Sequence, residues 1–340
     1  MKTVCFGEIM LRLSPPEHQR FVQASQFDAT FGGGEANVAV SLAQFGHESH
    51  YVSRVPAHEI GEAAINALRR FGVRTDHVQR GGDRLGVYFL ENGASQRPSK
   101  VIYDRTGAAI AGITPGMVEW SAVLAGAHWF HVTGITPALS ESAAETAIAA
   151  VRQARHLGVP VSCDLNYRKK LWSRDRAEKV MAQVMENVDL VIANEEDADM
   201  VFGIRAVDAD VQAGSVQAES YRSVAEQLIK RFPTVKQVAI TLRESLSASD
   251  NRWSAIAWDG KEFVRSRTYA MHIVDRVGGG DAFAAGLIHG LLHRQPIAQA
   301  LEFGVAASCL KHTIPGDFNH VTVAEVEYLV KGGGSGRVQR

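Results

Sequence analysis

The chain has 340 residues, 46% hydrophobic and 21% charged, which suits an ordinary globular protein with one large α/β domain or two smaller ones. Its formal net charge of −1 excludes the basic surplus that nucleic acid or an anionic membrane surface selects, so any bound anion must be held by local donors. Three widely spaced cysteines (Cys5, Cys163, Cys309), no leading signal pattern and no bilayer-length apolar run point to a reduced, cytoplasmic protein.

In chain order, short apolar or β-branched runs predict strands at 3–6, 50–53, 128–132, 159–163, 189–193 and 237–241. Helical periodicity falls between them at 36–45, 61–71, 140–156, 174–186 and 221–230. This alternation predicts an α/β fold with a mostly parallel sheet covered by helices on both faces, and a ligand crevice beyond the carboxyl ends of the strands. The rhythm breaks at 85–105, which reads as a hairpin; with 11–13 and 20–22 it predicts a small separate β-sheet, a lid inserted from about 11–31 and 81–111. The main α/β unit then spans 1–331, with a surface excursion at 203–220 and a flexible tail at 332–340.

The most informative segment is DRVGGGDAFAAGLIHGLL (275–292). Gly278, Gly279 and Gly280 precede Asp281, and Phe283, Ala284, Leu287, Ile288 and Leu291 recur at helical spacing. Asp281 therefore sits at or near a helix start, beside free N–H groups that can hold a phosphoryl group. A carboxylate there can accept the proton of an attacking hydroxyl. No Lys-Ser or Lys-Thr follows the glycines, so this is not a Walker A loop, and no dinucleotide fingerprint follows the first strand.

This segment resembles the signature of the ribokinase/PfkB carbohydrate kinases, with Asp275, the glycine hole and Asp281 in matching places. It departs at Gly279, where an Ala is usual, and at Arg276, where a small residue or proline is usual. The resemblance extends over nearly the whole chain. FGGGEANV (31–38) matches the sugar-pocket motif and implies substrate contacts from Gly33, Gly34 and Asn37. NEED (194–197) resembles the Asn-x-x-Glu motif and implies that Asn194, with Asp197 in place of Glu, holds Mg²⁺ and phosphate through water. QVAITLRES (237–245) stands where the family has its nucleotide loop; the usual glycines are absent, leaving Thr241, Arg243 and Ser245 as nucleotide contacts, with Asn166 and Asp275.

Strand geometry puts Tyr103 and Arg105 on one face of the lid, with Tyr88 on the partner strand, and places Arg168 at the crevice end of 159–163. Two arginines suit a substrate carboxylate. The patterns IYDR (102–105), NYR (166–168) and HTIPGDF (312–318, containing Asp317) resemble a subgroup acting on 2-keto-3-deoxygluconate. That resemblance implies ATP-dependent phosphorylation of 2-dehydro-3-deoxy-D-gluconate at its 6-hydroxyl, a step of Entner–Doudoroff-type or uronate catabolism, with ATP and Mg²⁺ as cofactors, a monovalent cation as a further candidate, and a homo-oligomer formed through the lid. Two rivals stand beside it: a same-fold kinase for another sugar (fructose or 5-dehydro-2-deoxygluconate) and a non-catalytic sugar-binding regulator. Retention of Asp281 favours an enzyme, because binding alone needs no base.

Overall fold

The computed structural model describes residues 1–206, 220–334 and 336, so the excursion expected at 203–220 and the tail expected from 332 fall mostly outside the described residues. The described residues form fourteen strands: β1 (Lys2–Phe6), β2 (Met10–Ser14), β3 (Asp28–Gly32), β4 (Glu48–Val55), β5 (Arg74–Arg80), β6 (Gly86–Glu91), β7 (Lys100–Asp104), β8 (Trp129–Thr133), β9 (Val161–Asp164), β10 (Leu190–Ala193), β11 (Gln237–Ser245), β12 (Asp250–Trp258), β13 (Phe263–Arg265) and β14 (Tyr269–His272). The helices are α1 (Gly34–Gln44), α2 (Glu59–Arg69), α3 (Trp120–Leu124), α4 (Glu141–His156), α5 (Arg174–Met185), α6 (Asp197–Phe202), α7 (Ser220–Arg231), α8 (Gly279–Leu292), α9 (Ile297–Lys311) and α10 (Val323–Val330).

Ten strands make the large sheet, in the order β13-β12-β11-β10-β9-β8-β1-β4-β5 with β14 beside β12. The run from β5 to β11 is parallel, and β12, β13 and β14 close one edge antiparallel. Strand alternation splits the core in two: Val4 and Phe6 join the helices α3 to α7 on one face, while Cys5 joins α1, α2, α8, α9 and α10 on the other. Several helices start on side-chain caps, such as Ser140 on the Ala143 N–H and the reciprocal Thr322–Glu325 box. All six predicted strands and all five predicted helices are present, with boundaries shifted by a residue or a few. Strands β5, β12, β13 and β14 were not foreseen.

The small sheet has the order β3-β2-β6-β7. Residues 20–22, expected as one of its strands, form a turn instead, and the strand is β3 at Asp28–Gly32. Register sets Tyr88 directly opposite Tyr103 and Arg12 opposite Tyr88. The inner face therefore carries Met10, Arg12, Tyr88 and Tyr103, and the outer face carries Leu11, Leu13, Val87, Phe89 and Ile102.

Candidate active site

The carboxyl ends of β8, β9, β10 and β11 and the amino ends of α1 and α8 open onto one cleft of about 750 Å³, bounded on the far side by the inner face of the small sheet. Its position follows from the parallel sheet, whose crossovers leave loops and helix starts at that end.

Gly278 is the N-cap of α8 with φ +82°, a conformation that favours glycine, and a Cβ there would overlap the Asp317 carbonyl. Asp281 is the third residue of α8; its Oδ2 accepts a 2.7 Å hydrogen bond from Asn37 Nδ2, at the start of α1. Gly280 faces open space, and Gly34 lies close to Asp281. Asp281 keeps a surface on the cleft yet lies deep in the protein, and burial raises its pKa to about 7, reinforced by the charges of Glu35 and Asp317. Glu35 is buried beneath it, also raised to about 7 by burial although its Oε1 accepts from Thr133 N–H, Thr133 Oγ1 and Thr136 Oγ1. The loop thus presents a carboxylate poised near neutrality beside a helix N-terminus.

Gly279 does not line the cleft: its Cα hydrogen side is covered by His312, whose ring a Cβ would overlap. Nδ1 of His312 lies 2.7 Å from the Ser308 carbonyl, which can only accept, so Nδ1 carries the proton and Nε2 accepts from Arg243 Nη2 at 3.2 Å. Glycine here, where the resembled family has Ala, is thus matched to His312. Gly279→Ala is expected to cost about 1–3 kcal/mol by overpacking. Gly279→Ala/His312→Ala should lose less than the sum of its single variants, read by urea unfolding.

Asn194 Oδ1 accepts from the N–H groups of Glu196 (2.8 Å) and Asp197 (3.0 Å). Both oxygens of Asp197 accept backbone N–H groups, from Tyr167 and Asn194, each at 3.0 Å, so the carboxylate expected at a metal is held as a structural bracket at the cleft wall. Asp164 stands beside it, accepting from Asn166 N–H at 3.1 Å; burial, then the charges of Asp197 and Asp281, raises its pKa well above the usual range. Asn166 lines the cleft with φ +39°. Thr241 and Ser245 also reach it.

The arginines separate into distinct environments. Arg168 lines the cleft and forms no ion pair among the described residues; its Nη1 donates to the Tyr167 carbonyl at 3.1 Å. Arg105, expected to be a free partner to it, has its guanidinium 4.9 Å from the centre of the Tyr103 ring and Nη2 2.7 Å from Glu8. That contact is off the hydrogen-bonding line: both Glu8 oxygens and Arg105 Nε and Nη2 are buried without a hydrogen-bond partner. Arg243 lies over the Trp253 ring at 4.6 Å and donates to Asn251 Oδ1 at 3.2 Å. Arg276 reaches the same Asn251 oxygen at 3.5 Å, its Nε has no partner, and it forms no ion pair among the described residues. Burial, then the charge of Arg276, lowers the Arg243 pKa to about 10, and burial lowers that of Arg276.

Asp275, expected to contact nucleotide, lies outside the cleft. Its Oδ2 meets Arg12 Nη2 at 2.6 Å and Gly316 N–H at 2.9 Å, while Oδ1 accepts from Val277 N–H at 3.0 Å. Arg12 Nη1 also bonds Asp317 at 2.9 Å, and Tyr88 donates to the other oxygen of Asp317. Asp317 and Tyr88 reach the cleft wall, but this buried network of Arg12, Asp275, Asp317 and Tyr88 ties the lid to the glycine loop. Arg12, Glu8, Glu35, Asp164 and Arg276 were not foreseen as site residues. A visible signal existed for Arg276, as the odd residue in its motif, and for Arg12, as a charge alternating into the inner face of a strand.

Together, the glycine-capped helix start, the carboxylate at its third residue and the crevice end of a parallel sheet define an α/β kinase of ribokinase-like fold. The family model for pfkB family carbohydrate kinases matches residues 1–320, and the chain belongs to that family; it is a sugar kinase. A crystal structure of 2-dehydro-3-deoxygluconokinase from Thermotoga maritima has 49% sequence identity and a TM-score of 0.94, covering 98% of this chain and 100% of that one. The 2-dehydro-3-deoxygalactonokinase of Haloferax volcanii is 33% identical over 334 residues, 98% of each chain. A structure from E. coli described as a ribokinase II in complex with ATP and Mg²⁺ shares the fold, with 19% identity and a TM-score of 0.81 over 97% of this chain and 99% of that one. Among the described residues no helix is long and apolar enough to cross a membrane.

Proposed function

We propose that the chain transfers the γ-phosphoryl group of ATP to the 6-hydroxyl of 2-dehydro-3-deoxy-D-gluconate. The observation that carries the substrate is Arg168, a guanidinium without a carboxylate partner among the described residues, in the same cleft as Asp281. Asp281 accepts the hydroxyl proton, the freed oxygen attacks the γ-phosphorus, and the bond to the β–γ bridging oxygen breaks to release ADP. The N–H groups at the start of α8 face the transferring group. Arg168 holds the sugar carboxylate, and Arg105, which also lines the cleft, stands as a further donor to the substrate. The names of the Thermotoga and Haloferax relatives support a sugar acid of this kind.

Arg243 and Arg276 also line the cleft as like charges; both are desolvated, and the charge of Arg276 disfavours the proton on Arg243. A polyphosphate relieves that repulsion. Arg276→Gln is expected to raise KM for ATP by roughly 10-fold or more, the loss of one charge-assisted contact, with KM for the sugar unchanged. Mg²⁺ fits the acidic wall, where burial and then the charges of Asp197 and Asp281 raise the pKa of Asp164, and would neutralise charge on the phosphates. Among the described residues no three carboxylates converge there, and Asn194 and Asp164 would hold the ion through water. A monovalent cation is not needed to balance Asp275 and Asp317, which Arg12 and the Lys311 ammonium already face. The half-exposed apolar outer face of the small sheet favours a homodimer through the lid.

The test is ADP release with Mg·ATP, comparing 2-keto-3-deoxygluconate, its galactonate epimer, fructose, ribose and 5-dehydro-2-deoxygluconate. Strong preference for an acid bearing the 2-keto-3-deoxy pattern supports the reading. Equal turnover of fructose or ribose overturns the carboxylate anchor, and turnover of none favours the regulator.

A further inference from the structure

The helices that carry Asn37 and Asp281 at their amino ends bring a second cluster together at their carboxyl ends. His47 follows α1, His289 lies in the last turn of α8, and His293 follows it at the i, i+4 spacing that puts two side chains on one helix face. His289 stands eight residues beyond Asp281, roughly 12 Å along the helix at the α-helical rise, so the cluster is separate from the kinase cleft. We propose that His47, His289 and His293 form a binding site for a divalent transition-metal ion such as Zn²⁺, stapling the carboxyl ends of α1 and α8.

One nitrogen from each ring lies within 4.8 Å of the others, and His47 Nε2 is 2.9 Å from His289 Nδ1. A tetrahedral Zn²⁺ with Zn–N bonds of 2.0–2.1 Å needs its ligand nitrogens about 3.3–3.4 Å apart, so the pair opens by roughly half an ångström. The proton shared by those two nitrogens moves to the other nitrogen of its own ring, leaving both lone pairs on the metal without a change in charge. Nδ1 of His293 lies 2.9 Å from the His289 carbonyl, so it donates there and presents Nε2 as ligand. Metal-binding histidines are commonly oriented by such an outer hydrogen bond. Burial and the neighbouring rings lower His47 to about 3 and His289 to about 4, so both are neutral at physiological pH. His293 is exposed and gives the ion its entry. An all-imidazole set suits Zn²⁺, Co²⁺ or Ni²⁺ and not Mg²⁺, which prefers oxygen, so Mg·ATP does not compete.

The experiment titrates Zn²⁺ and Co²⁺ into tag-free, nucleotide-free full chain, reading heat of binding, visible cobalt absorption and Tm. One equivalent should bind, the cobalt spectrum should be that of a four-coordinate ion, and Tm should rise by a few degrees. His293→Ala, exposed and outside the cleft, should keep the metal-free Tm and lose at least 10-fold in affinity; His289→Gln should lose it as well. His77→Ala, altering the separate His50–His77 stack, should change nothing. Absence of saturable binding overturns the site, as does binding that survives His293→Ala or disappears with His77→Ala.

Discussion

Asp281→Asn is expected to lower kcat by roughly 10²–10⁴-fold, the usual contribution of a positioned general base. The substitution keeps the shape of the side chain and a group that can face Asn37, so the cleft should survive. Steady-state ADP release measures the loss. The wild-type acid limb of kcat/KM should fall near pH 7, because burial lifts Asp281 to about that value and only the ionised form accepts a proton. A stability effect of opposite sign accompanies it. A carboxyl raised from its ordinary value of 3.8 to about 7 in the folded chain makes folding less favourable as pH climbs between those values. Asp281→Asn removes that penalty, so the variant should melt above the wild type at pH 8, by a margin that shrinks below pH 7 and vanishes near pH 4. An activity loss with no gain in Tm at pH 8 would falsify the account of Asp281 as a base whose burial outweighs its hydrogen bond from Asn37.

Arg168→Gln should raise KM for the sugar acid by roughly 10–150-fold, the span of one charge-assisted bond of about 1.5–3 kcal/mol, with KM for ATP little changed. Its guanidinium forms no ion pair among the described residues and only lowers the pKa of Asp164, Asp197 and Asp281 from a distance, so the effect should lie mainly in binding. Arg105→Gln makes the contrast. Glu8 and Arg105 are both buried, and breaking such a pair leaves a carboxyl whose pKa burial already raises. That variant should therefore lose stability as well as substrate affinity. Comparing thermal melts with KM values for both variants separates the two roles. Retention of wild-type KM for the sugar acid in Arg168→Gln would remove it from the carboxylate site.

Asp281 and the glycine hole were legible because their chemistry is written in a contiguous stretch: glycines before a carboxylate before a helical period. Arg168 was legible through the strand that precedes it. The pairings across the fold were less accessible. Asp275 reads like a site residue from its place in the motif, but the network with Arg12 and Asp317 spends it on fastening the lid to the loop. Asp197 reads like a metal ligand, yet its oxygens are taken by N–H groups of the strand ends it joins. Gly279 and His312 stand thirty-three positions apart and explain each other only when α8 and α9 are packed together.

The amino-acid sequence by itself determined the layered α/β architecture, the end of the sheet where the cleft lies and the place of the candidate base, Asp281, since periodicity, helix-start chemistry and motif are local properties of the chain. The tertiary structure decided which charges remain free for ligands and which cancel each other, because a buried ion pair or a lone guanidinium depends on what packing places within a few ångströms, and residues such as Arg12 and Asp317 meet across 305 positions of chain.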